Sequence, residues 1–164
     1  METDLGNSDY SDKWDFNHSD EFYALKGVEI LDMFDRKIIL SHTGVWCVIA
    51  NKKLFSAHQN TNVIPFFPFL ELGCENFISI VKKKLESKNM SAEIAYSFPL
   101  KYIISAALGM QSDYWVKLSI SWLNCFTFDS EISDLLSYVM SSKWLSQSTR
   151  HLAKKMFFRF NKHS

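Results

Sequence analysis

The sequence predicts an all-α protein: an irregular helical bundle, or short α-solenoid-like hairpins, with room for one small β-hairpin near residues 38–49. Three observations predict it. Ser112 to Phe126 (SDYWVKLSISWLNCF) is apolar nearly all round, with Trp115, Leu118, Trp122 and Phe126 on one helical row and Val116, Ile120 and Leu123 on another. A helix of that kind must be sheathed by others. On either side, Leu100, Ile103, Ile104, Ala107 and Leu108, and Ile132, Leu135, Leu136, Val139 and Met140, fit the i, i+3, i+4, i+7, i+8 template. The links between these stretches are short, which makes neighbouring amphipathic helices antiparallel.

At 164 residues one domain is the default, long enough to bury a core without metal or disulfide staples. The expected organisation is an acidic tail over residues 1–19 and a single helical domain over 20–164. The tail shows no period, only scattered Tyr10, Trp14 and Phe16 among acids. Asp20 reads as an N-cap, and Leu25, Val28, Leu31, Met33 and Phe34 supply a loose apolar face for a helix from Asp20 to Asp35. Gly27 weakens that helix by about 1 kcal/mol. Residues 36–57 allow two readings. The β-branched runs Ile38–Leu40 and Val45–Ile49 flank Ser41–Gly44 as in a hairpin, whereas a helix over 44–55 agrees with the helical elements elsewhere and is preferred.

Residues 57–62 read as a loop. Pro65 and Pro68 disfavour helix at Ile64 and Phe67, and Pro68 then suits the first turn of the next helix. Phe69, Leu72, Phe77, Ile78, Val81 and Leu85 continue it, and Lys82–Lys84 suit its C-terminal end. Ser97 and Pro99 start the following helix and Gly109 closes it as a C′ residue. Ser112 caps the central helix, residues 127–129 form a bend, and a last helix runs from Lys143 to Phe160. That helix turns Leu145, Thr149, Leu152, Met156 and Phe160 inward and Arg150, His151, Lys154, Lys155 and Arg159 outward.

No nucleophile elbow, phosphate loop, dinucleotide fingerprint or zinc-protease motif occurs. His42 and His58 sit near turns; either is a possible general base, but a loop histidine with a local hydrogen bond is the ordinary reading. Cys47, Cys74 and Cys125 lie far apart and form no C-x-x-C pair, so they read as buried free thiols in a reducing compartment. Neither a metal nor a cofactor is expected. The N-terminus METDLGNSDY is acidic and polar, unlike a leader, and no run approaches the ~18 apolar residues of a membrane span; a cytoplasmic protein is the expectation.

The net charge is zero, but it is split. Residues 1–35 carry ten acids against two bases, a net −8, and residues 143–164 carry six bases and no acid, a net +6. Arg150 and Lys154, then Lys155 and Arg159, are i,i+4 like-charge pairs that something must offset. The zero total disfavours a nucleic-acid partner.

At YWVKLSISWL followed by KWLSQSTRHLAKK the chain resembles small immunity proteins of bacterial polymorphic-toxin and contact-dependent inhibition loci, mainly over residues 97–156. The resemblance implies a cytoplasmic, non-enzymatic binder that neutralises one cognate protein toxin, with no small-molecule substrate and no membrane. It assigns no site residues. From the charge pattern, Asp9, Asp12, Trp14, Asp15, Asp20, Glu21, Glu29, Asp32 and Asp35 are the candidate partner-binding residues, acids that would mimic a phosphate backbone before a basic nuclease cleft. The alternative is a helical adaptor that takes an anionic partner on its basic C-terminal helix.

Overall fold

A computed structural model describes residues 27–57, 62–125 and 129–162. The chain is mixed α/β, not all-α. It divides into two compact units, residues 1–65 and 66–164.

The first unit holds a four-stranded antiparallel meander, β1 (Val28–Met33), β2 (Arg36–Leu40), β3 (Trp46–Ala50) and β4 (Lys53–Ser56), paired in sequence order. The helix expected over 20–35 is overturned where it is described, since residues 28–33 are a strand; its start, from Asp20, lies outside the described residues. Gly27 has a steric reason to be there: a Cβ would stand 2.6 Å from Ile39 Cγ2. The helix preferred over 44–55 is likewise replaced by β3 and β4, and the hairpin reading of 38–49 holds. Burial explains the misreading. Ile38, Leu40, Trp46, Val48 and Ala50 are buried on one face, and Ile39, Cys47 and Leu54 on the other. A strand buried on both faces loses the apolar–polar alternation that announces it.

Two-residue turns join β1 to β2 and β3 to β4. Phe34 and Asp35 (φ 58° and 55°) and Asn51 and Lys52 (φ 51° and 62°) take the left-handed conformation that such hairpins favour. Between β2 and β3 the Ser41 hydroxyl accepts from Val45 N–H at 2.9 Å, and Gly44 supplies φ 84°.

In the second unit, Ile64–Leu72, which begins at the close of the first, winds as a 3-10 helix through Pro68. Among the described residues five helices follow: α1 (Cys74–Ser87), α2 (Leu100–Gly109), α3 (Asp113–Ser121), α4 (Ser130–Ser141) and α5 (Gln147–Asn161). The helix expected to start at Pro68 starts instead after Gly73, whose φ of 72° breaks the chain between the 3-10 segment and α1. A short 3-10 segment, Ala92–Ser97, capped by Ser91, was not evident from the residues. The five residues Leu100, Ile103, Ile104, Ala107 and Leu108 are the buried face of α2, although Gly109 is its last residue and not a C′ cap. Ser112, Asp129 and Ser146 cap α3, α4 and α5, each accepting a backbone N–H from the first turn.

The central helix is shorter than Ser112–Phe126, ending at Ser121 before a 3-10 turn, Leu123–Cys125. Its sheathed row is Val116, Ser119, Ile120 and then Trp122 and Leu123; Trp115 and Leu118 are half-buried, and Tyr114 and Lys117 face solvent. Helix α3 packs on α2 and α5, α4 packs on α2 and α5, and α1 packs on the 3-10 segment Ala92–Ser97.

The core of this unit is aromatic. Phe77 lies 4.8 Å from Phe98 and 5.5 Å from Trp122, ring centre to ring centre; Phe66 adds an edge to Phe98 at 6.0 Å, and Phe67 meets Trp115 at 5.5 Å. Trp122, 1% exposed, donates its indole N–H to the Leu70 carbonyl at 2.8 Å. Close by, the start of α1 is joined covalently to the 3-10 turn after α3, because Cys74 and Cys125 form a disulfide with Cα atoms 6.4 Å apart. The expectation of three free thiols is therefore corrected: only Cys47 is free among the described residues. A cross-link spanning 51 residues contributes about 4 kcal/mol in the chain-entropy account.

Asp113 ties the start of α3 to the start of α5, its carboxylate accepting Ser146 N–H at 2.8 Å. Partial burial works to raise its pKa, but hydrogen bonds from the Ser146 backbone and from the Thr149 and Ser146 hydroxyls outweigh that and hold it below the ordinary carboxylate range. A depressed folded-state pKa means stability that is complete above the unfolded value and lost as pH falls through the folded one. Asp113→Asn therefore lowers the Tm at neutral pH, and its gap to wild type closes as pH drops below about 4; thermal melts across that range check it. Trp122→Phe removes the indole donor and shrinks a fully buried ring, leaving the Leu70 carbonyl its bond from Gly73 N–H at 3.2 Å, and should cost about 1–3 kcal/mol in urea unfolding through the lost hydrogen bond and the cavity.

Candidate functional site

Six of the nine candidate partner-binding residues, Asp9, Asp12, Trp14, Asp15, Asp20 and Glu21, lie outside the described residues, as does His58. The other three, Glu29, Asp32 and Asp35, fall on the first hairpin and not on a helix row. Three residues apart in a regular strand, Glu29 and Asp32 would point to opposite faces. A bulge between Glu29 and Leu31 restores them to one face, opposite Ile39 and Lys37. Lys37 Nζ then reaches Glu29 at 3.0 Å and Asp32 at 3.3 Å. Those two hydrogen-bonded carboxylates raise the lysine's pKa. One cation thus offsets two acids, and exposed pairs of this kind contribute little to stability. Asp35 stands clear of this cluster, at the turn beside Phe34, which is 40% exposed. β1 is an edge strand among the described residues, so its charges and its bulge also discourage strand-to-strand aggregation.

In the second unit the outer face of α5 is the strongest electrostatic feature. His151, Lys154, Lys155, Phe158, Arg159 and Lys162 are all exposed and recur at three- and four-residue steps, so they form one stripe. The inward row, Thr149, Ala153 and Met156, is buried. The expected charge repulsion is only partly relieved. Arg159 donates to Asn124 Oδ1 at 2.9 Å, and Arg150 leans toward the Ser142 and Lys143 carbonyls at 3.5 Å each. These acceptors are neutral, and no carboxylate among the described residues pairs with Lys154 or Lys155. Phe158 gives the stripe an apolar centre, packed edge-on against Phe157 at 5.5 Å.

The remaining features are small. His42 is exposed in the Ser41–Gly44 turn, beside a mostly apolar hollow of about 30 Å³ between Ile39, Cys47 and Leu54, room for one water molecule. Burial pushes the Cys47 thiol up to about 12. Among the described residues no three His, Cys, Asp or Glu side chains are grouped so as to hold a metal ion. No single described helix is long and apolar enough to cross a membrane, though the bent pair Ile64–Leu72 and Cys74–Ser87 passes on length and composition. Comparison with protein families, curated proteins and solved structures finds no match to this chain. What the fold and the surfaces define is a class: an antiparallel meander followed by a cross-linked helical unit, with opposite charge on its two parts.

The residues of the α5 stripe were legible as charges in the sequence. The bulge that turns Glu29 and Asp32 to one side was not, because nothing in VEILDM marks where a strand adds a residue.

Proposed function

We propose that the chain is a non-enzymatic binder of the immunity type, which captures one cognate protein toxin and covers its active site. The observation that carries this reading is the segregation of charge. Residues 1–65 hold ten acids against six bases, a net −4, and residues 66–164 hold eight acids against twelve bases, a net +4. An acidic unit of this kind competes with a phosphate backbone for a basic cleft and speeds encounter with it. The partner-contact residues are Asp9, Asp12, Trp14, Asp15, Asp20 and Glu21, together with Glu29, Asp32 and Asp35 on the first hairpin.

The test is co-expression with the product of the reading frame immediately upstream. That product should arrest growth alone and be tolerated when this chain is present. A harmless product, or equal toxicity with and without the chain, overturns the reading. Replacing Asp12, Asp15, Asp20 and Glu21 by lysine takes this unit from −4 to +4 and should slow association and reverse its salt dependence, read by stopped-flow mixing with the toxin.

A second reading, an adaptor for an anionic partner, rests on the α5 stripe and its exposed Phe158. Lys154→Glu with Lys155→Glu changes two exposed positions and should leave the Tm unmoved while abolishing capture of an acidic partner; unchanged capture rejects this reading.

A further inference from the structure

We propose that the Cys74–Cys125 disulfide is a thiol-exchange site, opened by a small hydrophilic thiol of the glutathione kind through attack on Cys125. Three observations place it there. The first is access. Three surface hollows, of about 500, 440 and 250 Å³, all reach Cys125, whereas Cys74 lines only one of them and is 6% exposed. A disulfide closed off by packing would offer neither sulfur.

The second is the leaving group. Cys74 is the first residue of α1, and the N-cap Gly73 contributes no side chain to the free N–H groups of that turn. Those donors and the helix dipole stabilise a thiolate at Cys74 and make it the better leaving sulfur. Glu75, next along the same turn, and the burial of Cys74 itself oppose this; Arg159 bonds Asn124, the residue before Cys125 in the chain. Lys82 and Lys83 stand with Glu75 and Glu86 around the hollow of about 500 Å³. The third observation is contrast. Cys47 is buried with its thiol pushed up to about 12, so one chain carries an exchangeable pair and an inert reference.

The chemistry balances as two exchanges. The external thiolate attacks Cys125 Sγ, the bond to Cys74 breaks, and its electron pair leaves on Cys74 as a thiolate, giving a mixed disulfide at Cys125. A second thiolate attacks the external sulfur of that mixed disulfide, releasing the oxidised dimer of the small thiol and a Cys125 thiolate. The protein disulfide is reduced and two small thiols are oxidised. Opening frees the start of α1 from the turn after α3, so that the two segments keep only their noncovalent contacts, the Trp122–Leu70 hydrogen bond among them.

The experiment uses the full native chain with glutathione. Protein purified without reductant and titrated in denaturant should show one thiol per chain; three would mean that the cross-link is absent and would overturn the proposal. Glutathione is then added without denaturant, the reaction is quenched by a maleimide, and peptides are weighed. The expected intermediate carries glutathione on Cys125 and maleimide on Cys74, with Cys47 unlabelled. Labelling of the pair only at the rate at which Cys47 reacts would show that exchange needs global unfolding, and glutathione on Cys74 would reverse the assignment; either overturns it. Because this is read on the wild-type chain, no variant has to fold for the answer to stand.

Discussion

The helical unit turns on one hydrogen bond in an otherwise dry place, from the Trp122 indole to the Leu70 carbonyl. Trp122 sits where α3 has just ended, and Leu70 lies in the last turn of the 3-10 segment before Gly73. The indole N–H would be costly to bury without an acceptor, and the Leu70 carbonyl, which also accepts Gly73 N–H at 3.2 Å, supplies one. Paired, they fix the position of an indole against which Phe77 packs, and Phe77 in turn meets Phe98. The aromatic cluster therefore has a defined orientation as well as a large buried area, and the disulfide three residues further along one segment and four along the other repeats the same connection covalently.

The helices α2 to α4 were legible because local signals agreed at each of them, whereas the last helix begins at Gln147 behind its Ser146 cap and not at Lys143 as expected. Ser112 for α3 announced its own cap, and the apolar template named the buried faces of α2 and α4 closely. The meander was less legible for a physical reason. Ile38–Leu40 and Trp46–Ala50 are buried on both sides, so the period of two was erased, and a short continuous apolar run does not distinguish strand from helix. The first hairpin was obscured by coincidence. Leu25, Val28, Leu31 and Met33 approximate helical spacing, and a bulge broke the alternation that would have shown a strand. The disulfide could not be read from spacing at all, since 51 residues separate its ends and only the folded core brings them together.

Of the candidate site, charge was legible and geometry was not. The acids of the first hairpin were found, but their shared neutralisation by Lys37 depends on strand register. The bases of α5 were found on the outer side of that helix, as its periodicity implied, and Phe158 at the centre of the stripe gives it an apolar point of contact. A long charged face with an aromatic centre, whose Lys154 and Lys155 pair with no carboxylate among the described residues, is a surface suited to a complementary one that displaces its water.

The turns at one end of the meander have a further consequence. Phe34-Asp35 and Asn51-Lys52 occupy left-handed backbone positions where asparagine followed by glycine would be most comfortable. A phenylalanine there works against its own sterics. The chain thus leaves conformational ease unclaimed at two neighbouring loop tips, and a library drawn at those four positions would find sturdier sheets without touching a single core residue.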